Sequence, residues 1–224
     1  MKVVTLPDAA AIATAAADVV CACLASHPRV AIGLPTGRTP VALYAELVRR
    51  HRDEGVSFRG MIPVQLDELV GVPLDDARSF RAFLRRELLD HVDVAEACEV
   101  GFDGALDLAI LGIGLNGHIA FNEPGSEATS RIRVVALEAS TRDELRAAFA
   151  PAEAPREALT VGIADLLDSR RVVLLATGAH KASIVARALG GAVEASCPAS
   201  FLQLHLGVTV LLDASAASGL GSLA

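Results

Sequence analysis

The sequence predicts an α/β fold in a single domain spanning residues 1–224, and three observations carry that prediction. Short apolar runs alternate with helical stretches along the whole chain, the order expected when strands lie side by side and helices cross between them. The strongest runs, Arg171–Ala176 and Val208–Leu212, are continuously apolar instead of alternating, as in strands buried on both faces of a mostly parallel sheet. No repeat, low-complexity tract or linker-like run divides the 224 residues, a length that suits one large domain.

The elements follow in order. Asp8 to Leu24 reads as an Ala-rich helix with Asp8 as its N-cap. Arg29 to Leu34 is a short strand ending in Pro35-Thr36-Gly37, and Thr39-Pro40 opens the next helix, where Pro suits the first turn. Met61 to Leu66 is a strand that stops at Asp67-Glu68. Ser79 to Leu89 is helical, and Asp107 to Leu111 is a strand running into Gly112. Arg131 to Leu137 is a strand with partial alternation. Arg171–Ala176 and Val208–Leu212 are the buried strands named above, with a helix from Ala179 to Leu189 between them. Helices on both faces of this sheet make a Rossmann-like, three-layer domain.

Composition narrows the function. Aromatic residues are 4% of the chain, with no Trp and one Tyr, which weakens any case for stacking on nucleic-acid bases. A net charge of −7 and a pI near 5.3 argue against polyanion binding, so no nucleic-acid partner is expected. The four cysteines, at 21, 23, 98 and 197, form no CxxC pair, which speaks against a zinc site or disulfide framework and for a reducing cytoplasm. The start, MKVVTLPDAA, lacks a signal-peptide pattern, and no uninterrupted apolar stretch is long enough to span a membrane, so no membrane partner is expected. The mean hydropathy of +0.45 then reflects Ala, Val and Leu in a core.

In open parallel sheets, ligands bind beyond the carboxyl ends of the strands, and four strand ends here carry polar or glycine chemistry. Thr36-Gly37-Arg38-Thr39 offers backbone N–H groups, two hydroxyls and a guanidinium, a set that suits a phosphate or merely an ordinary strand–helix turn. It is not a GxxxxGK[ST] loop. Thr177-Gly178 with Lys181 repeats the theme, against the plainer reading of a surface lysine. Asp67-Glu68 places carboxylates at the end of a buried strand, where they are solvated, paired or functional, and a general base would suit the position.

The richest stretch is Gly112 to Pro124, GIGLNGHIAFNEP. Gly112, Gly114 and Gly117 satisfy GxGxxG after a strand, and Glu138 lies where a ribose-binding acid would sit. The dinucleotide reading fails because Pro124-Gly125 leave no room for the helix that must begin among those glycines. The glycines instead suit a loop that approaches a ligand and presents His118, Asn122 and Glu123. His118 and Glu123 lack a third ligand nearby, so no metal is expected. His27, His51 and His91 read as surface residues.

These stretches resemble the glucosamine-6-phosphate deaminase (isomerase) family, whose wider relatives include 6-phosphogluconolactonases. The resemblance rests on GLPTGRTP (33–40), LDELVGV (66–72), SF…LLDHVDV (79–94), LAILGIGLNGHIAFNEPGS (108–126), STR (140–142), ALTVGI (158–163), TGAHKA (177–182) and PASFLQLH (198–205), in family order over most of the chain. GHIAFNEP favours the deaminase branch, since lactonases resemble GHTASLFP there. The resemblance implies that Asp67 moves a proton between carbons 2 and 1 of the opened sugar. His118 would open the ring with help from Glu123, and Asn116, where many relatives carry Asp, would orient His118. Thr36, Gly37, Arg38 and Thr39 would hold phosphate opposite Lys181. The reaction would convert glucosamine 6-phosphate to fructose 6-phosphate and ammonia by acid–base steps alone, with no cofactor.

Three departures from the family pattern stand out. Arg38 replaces a small residue. The family's phosphate-binding arginine after STR falls on Ala147 without a gap, or on Arg146 with a one-residue shift. A helix expected between Val94 and Asp107 is missing. The competing readings are a lactonase-type hydrolase and a sugar-phosphate-binding protein without turnover. A homo-oligomer is compatible with all three.

Overall fold

The computed structural model describes residues 1–95 and 97–221. Along the chain lie β1 (Lys2–Leu6), α1 (Ala9–Ser26), β2 (Val30–Leu34), α2 (Val41–Glu54), β3 (Met61–Gln65), β4 (Asp67–Leu69), α3 (Phe80–Glu87) and β5 (Glu99–Val100). There follow β6 (Leu108–Gly112), β7 (Arg133–Ala136), α4 (Ala139–Phe149), β8 (Glu157–Thr160), α5 (Ile163–Leu167), β9 (Val172–Ala176), α6 (Ala182–Gly190), β10 (Val208–Asp213) and α7 (Ala214–Ala217). Three 3₁₀ turns, Leu89–His91, Ala179–Lys181 and Pro198–Leu204, complete the set.

Seven strands form one sheet in the order β1-β10-β9-β6-β2-β3-β5, and every pairing in it is parallel. All five residues of β2 and of β9 are buried, the burial that their unbroken apolar sequences demand. One apolar cluster packs a sheet face against α5, α6 and α7, and a second packs the opposite face against α1, α2 and α3. These are the three expected layers.

Helix starts follow their caps. Asp8 accepts a hydrogen bond from the Ala11 N–H at 2.8 Å, and Ser79 accepts from Ala82 N–H at 3.0 Å, each satisfying an otherwise orphaned amide of a first turn. Helix α1 is the one described helix long and apolar enough to cross a membrane by length and composition. Here it is a core helix: Ile12, Ala13, Ala16, Ala17, Val20 and Cys23 are buried, and Asp18 pairs with Arg50 of α2 at 2.7 Å.

Some elements differ from the sequence expectation. Lys2–Leu6, read only for its lack of a signal pattern, is an edge strand beside β10. The strand expected at 131–137 is β7, but it belongs to a separate antiparallel sheet of order β4-β8-β7. Its alternating exposure matches its partial sequence alternation, since such a strand covers a core on one face only. Helix α4 was not anticipated. Between Val94 and Asp107 the described residues form only β5, with no helix. His51 is half-buried, with its ring nitrogen 2.7 Å from the Val56 carbonyl, so it is not a free surface residue.

Candidate active site

The strand order decides where the chemistry gathers. Strands β9, β6, β2 and β3 are consecutive neighbours, so the loops after them open onto one rim. A cavity of about 500 Å³ lies there, lined by Thr36, Gly37, Arg38 and Thr39 after β2, Asp67 after β3, Gly112 to Leu115 and His118 after β6, and His180 and Lys181 after β9. The far wall is formed by Phe80, Phe121 and, from α4, Thr141, Glu144 and Leu145.

Asp67 stands where the chain leaves the large sheet and enters the small one. Its register partner Thr160 accepts the Phe121 N–H at 3.1 Å, so the small sheet links the Asp67 segment to the His118 loop. Asp67 is only 7% exposed, and its buried Oδ1 has no hydrogen-bond partner. Burial, and secondarily the neighbouring Glu68 charge, push its pKa up to about 7. A carboxyl with that pKa, facing a cavity, is suited to taking and returning a proton near neutral pH.

The loop after β6 builds a second group. Its glycines start no helix. Gly117 has φ +89° and sits against Cys197, a backbone conformation that a side chain would strain. A methyl group at Gly114 would overlap the His118 ring. His118 Nδ1 is buried without a hydrogen-bond partner, with Glu123 Oε2 the carboxylate oxygen beside it at 3.4 Å, longer than a good hydrogen bond, while the ring is tilted against Phe121 at 6.2 Å between centroids. Burial alone would raise the pKa of Glu123, but His118, Thr141 and Asn116 around it outweigh burial and hold it below the usual range.

Asn116 does not touch the imidazole as expected from sequence. Its Nδ2 donates to Glu123 Oε2 at 2.7 Å and its Oδ1 accepts from the His118 backbone N–H at 3.1 Å. It fixes Glu123 and the loop, and reaches the ring at one remove. Asn122 is not presented to the cavity either. It is fully buried, donating to the Ile119 and Val161 carbonyls and accepting from Arg133.

At the opposite end, Gly37 has φ +97°, and the Tyr44 hydroxyl from α2 holds the loop by donating to the Pro35 carbonyl at 2.5 Å. The side chains of Thr36, Arg38 and Thr39 make no hydrogen bond or ion pair among the described residues. Lys181 donates from Nζ to the Ile113 carbonyl at 2.8 Å. Burial lowers its pKa, with Glu144 acting the other way.

Arg146 does not line the cavity. It lies on the outer side of α4, paired with Asp143 at 2.5 Å and largely exposed. Helical spacing is the reason: Thr141, Glu144 and Leu145 share the inward stripe, and the next residue is turned about 100° away. The cavity residues that sequence reading missed are His180, Glu144, Thr141, Leu145, Phe80 and Phe121. His180 adjoins Lys181 in TGAHKA, a signal that was available. Among the described residues no cluster of three His, Cys, Asp or Glu converges as a metal site would need.

An enclosed carboxyl, a histidine–carboxylate pair and a donor-rich loop at strand ends define an acid–base site for a small anionic ligand. Residues 99–211 match the family model for glucosamine-6-phosphate isomerases/6-phosphogluconolactonases. The chain is 39% identical to the glucosamine-6-phosphate deaminase of Cellvibrio japonicus, over 100% of this chain and 93% of the relative. It is 41% identical to that of Arthrobacter sp., over 98% and 93%. A solved structure described as a monomeric glucosamine-6-phosphate deaminase superposes with a TM-score of 0.92 at 35% identity, covering 98% of this chain and 100% of that one. The 6-phosphogluconolactonase of Leishmania guyanensis superposes at 0.78 with 20% identity, over 100% and 99%, a likeness of fold alone. The chain belongs to the glucosamine-6-phosphate isomerase/6-phosphogluconolactonase family.

Proposed function

We propose that the protein is a glucosamine-6-phosphate deaminase. The observation that carries this reading is the buried Asp67 in a cavity whose other end keeps Thr36, Arg38 and Thr39 unpaired, in a chain about 40% identical to curated deaminases along its length.

The phosphate sits on the 36–39 loop opposite Lys181, which places the sugar between Asp67 and His118. His118, held by Glu123, moves the proton that opens the ring to the aldehyde. Asp67 removes the proton from carbon 2, giving an enolamine, and returns it to carbon 1. The resulting imine at carbon 2 takes up water and loses ammonia, leaving fructose 6-phosphate. Every step is a proton transfer, a water addition or a loss of amine, and the chain's own carboxyl and imidazole groups supply the acids and bases.

The four cysteines are free thiols, in keeping with the reducing cytoplasm in which this reading places the enzyme.

The test measures products from glucosamine 6-phosphate. Ammonia and fructose 6-phosphate should appear in a one-to-one ratio without added metal or nicotinamide. Hydrolysis of 6-phosphogluconolactone without ammonia release from the amino sugar would favour the lactonase reading, and tight sugar-phosphate binding with no turnover would favour a binding protein.

A further inference from the structure

Glu68 lies behind Asp67, away from the cavity, and is 6% exposed. Burying a carboxylate is costly unless its oxygens are satisfied, and these are. Oε1 accepts from the Leu69 and Phe80 N–H groups, each at 2.9 Å. Oε2 accepts from the Arg81 N–H at 2.9 Å and from Gln65 Nε2 at 2.8 Å. Four N–H donors and no acceptor face the group, the bonding of a carboxylate anion.

Two of these donors belong to the first turn of α3, where the helix dipole favours negative charge. The third contact leads back to the base. The Gln65 amide that donates to Glu68 also donates to the Asp67 backbone carbonyl at 2.7 Å. The strand carrying Asp67, the amide of Gln65 and the start of α3 therefore meet on one buried carboxylate. Asp67 itself has no such support at its buried Oδ1.

We propose that Glu68 is a positioning residue for the proton transfer at Asp67: it pins the Asp67 backbone to α3 through Gln65, and its buried charge sets the strength of Asp67 as a base. This rests on the deaminase reading for the identity of the transferred proton, but not for the coupling between the two carboxyls. The other titratable groups around Asp67 are Tyr44 of α2, which lies close enough to feel the Asp67 charge, and, around the cavity, His118, Lys181, His180, Glu144 and Arg38. Beside Glu68 itself lie Cys98, whose thiol burial pushes up to about 12, and Arg81, whose side chain bonds the Cys98 carbonyl and Glu99; neither changes charge over the assayed pH, so removing the Glu68 charge is read at Asp67.

The experiment follows the Asp67 carboxyl directly, by carbon-13 NMR of aspartate-labelled protein, with the resonance assigned from its loss in Asp67→Asn. The same proteins are assayed for kcat and KM across pH. In Glu68→Gln the Asp67 midpoint should fall by about one pH unit, since a like charge has been removed. The acidic limb of kcat/KM should fall with it, and kcat should drop about tenfold while KM stays within about threefold. Glu68→Asp should keep the midpoint and lose kcat. Gln65→Met, which leaves the charge but cuts the tie to the Asp67 carbonyl, should also lower kcat with the midpoint unmoved. An unchanged Asp67 midpoint in folded Glu68→Gln overturns the charge role, and wild-type kcat in Gln65→Met overturns the positioning role. Should Glu68→Gln not fold, the midpoint is read in Glu68→Ala, where it should fall likewise and an unchanged value overturns the charge role. Should the wild type release no ammonia, the deaminase reading falls while the NMR midpoint still judges the coupling.

Discussion

The two ends of the cavity are built on opposite plans. At the chemical end, Asp67 is enclosed with an unsatisfied oxygen, and behind the cavity wall Glu68, Glu123 and Asn116 are buried or half-buried and bonded into fixed networks. At the loop end, Thr36, Arg38 and Thr39 stand free of any partner among the described residues, and Lys181 is held by a single bond to Ile113. On the proposed function, the difference follows from what each end must do. A proton-transfer group gains from a fixed position and a tuned environment before the substrate arrives. Donors to a phosphate gain by having nothing else to give up, because a satisfied donor would have to exchange one bond for another.

Breaking the chemical end should have the largest effect. Asp67→Asn removes the base but fits the same space, so kcat should fall by about 10²–10⁴-fold, while inorganic phosphate binding stays as in the wild type. The same substitution should stabilise the fold. The folded-state pKa of Asp67 is raised to about 7, above its unfolded value, so the stability linked to its neutral form is present in acid and lost as pH rises through about 7. Asp67→Asn should therefore raise the unfolding free energy more at pH 8 than at pH 5, by about 3 kcal/mol, with Tm following in the same direction. Equal gains at both pH values would mean that Asp67 is not the buried, raised group described.

Asn116→Asp tests the middle of the network. It sets a second carboxylate against Glu123 Oε2, where the amide now donates at 2.7 Å. Two carboxylates at that distance share a proton, so the pair's pKa rises on folding. The stability difference from wild type should then grow as pH rises from 5 to 8, with reduced kcat throughout. A Tm difference that does not change with pH would place the amide's role elsewhere.

The loop end should respond in affinity, not in kcat. Lys181→Ala should weaken inorganic phosphate binding by roughly 1.5–3 kcal/mol, the value of a charge-assisted hydrogen bond, as read by calorimetry. Wild-type affinity in that variant would remove Lys181 from the phosphate site. The smallest effect belongs to Arg146→Ala. The residue is exposed and paired only with Asp143, so phosphate affinity should be unchanged and stability should move by no more than about 0.5 kcal/mol. A loss of affinity there would mean that α4 turns Arg146 inward when ligand binds.

The large sheet and the rim were legible in the sequence because β2, β6, β9 and β10 are continuous apolar runs and because polar residues at strand ends are costly without a reason. The small sheet was not, since β4 and β8 are three and four residues long and take their meaning from pairing with distant strands. That Asp67 and His118 would meet at one cavity, with Glu123 beside the imidazole, could be read from residue type and strand-end position. What Asn116 bonds to could not, because its amide has two ends and the sequence does not say which neighbour each meets. That Arg146 points away from the cavity was not legible for want of α4: without a helix there, its register could not be drawn. Glu68 shows the same limit, since its partners on α3 lie 12 and 13 residues on.

The central claim is that one enclosed carboxyl both takes the proton from carbon 2 and returns it to carbon 1. It is tested most directly with glucosamine 6-phosphate deuterated at carbon 2, turned over in ordinary water. A base as buried as Asp67 exchanges with solvent slowly enough that part of the deuterium should appear at carbon 1 of the fructose 6-phosphate, as read by mass spectrometry and NMR. Product carrying only solvent hydrogen at that carbon would contradict the account.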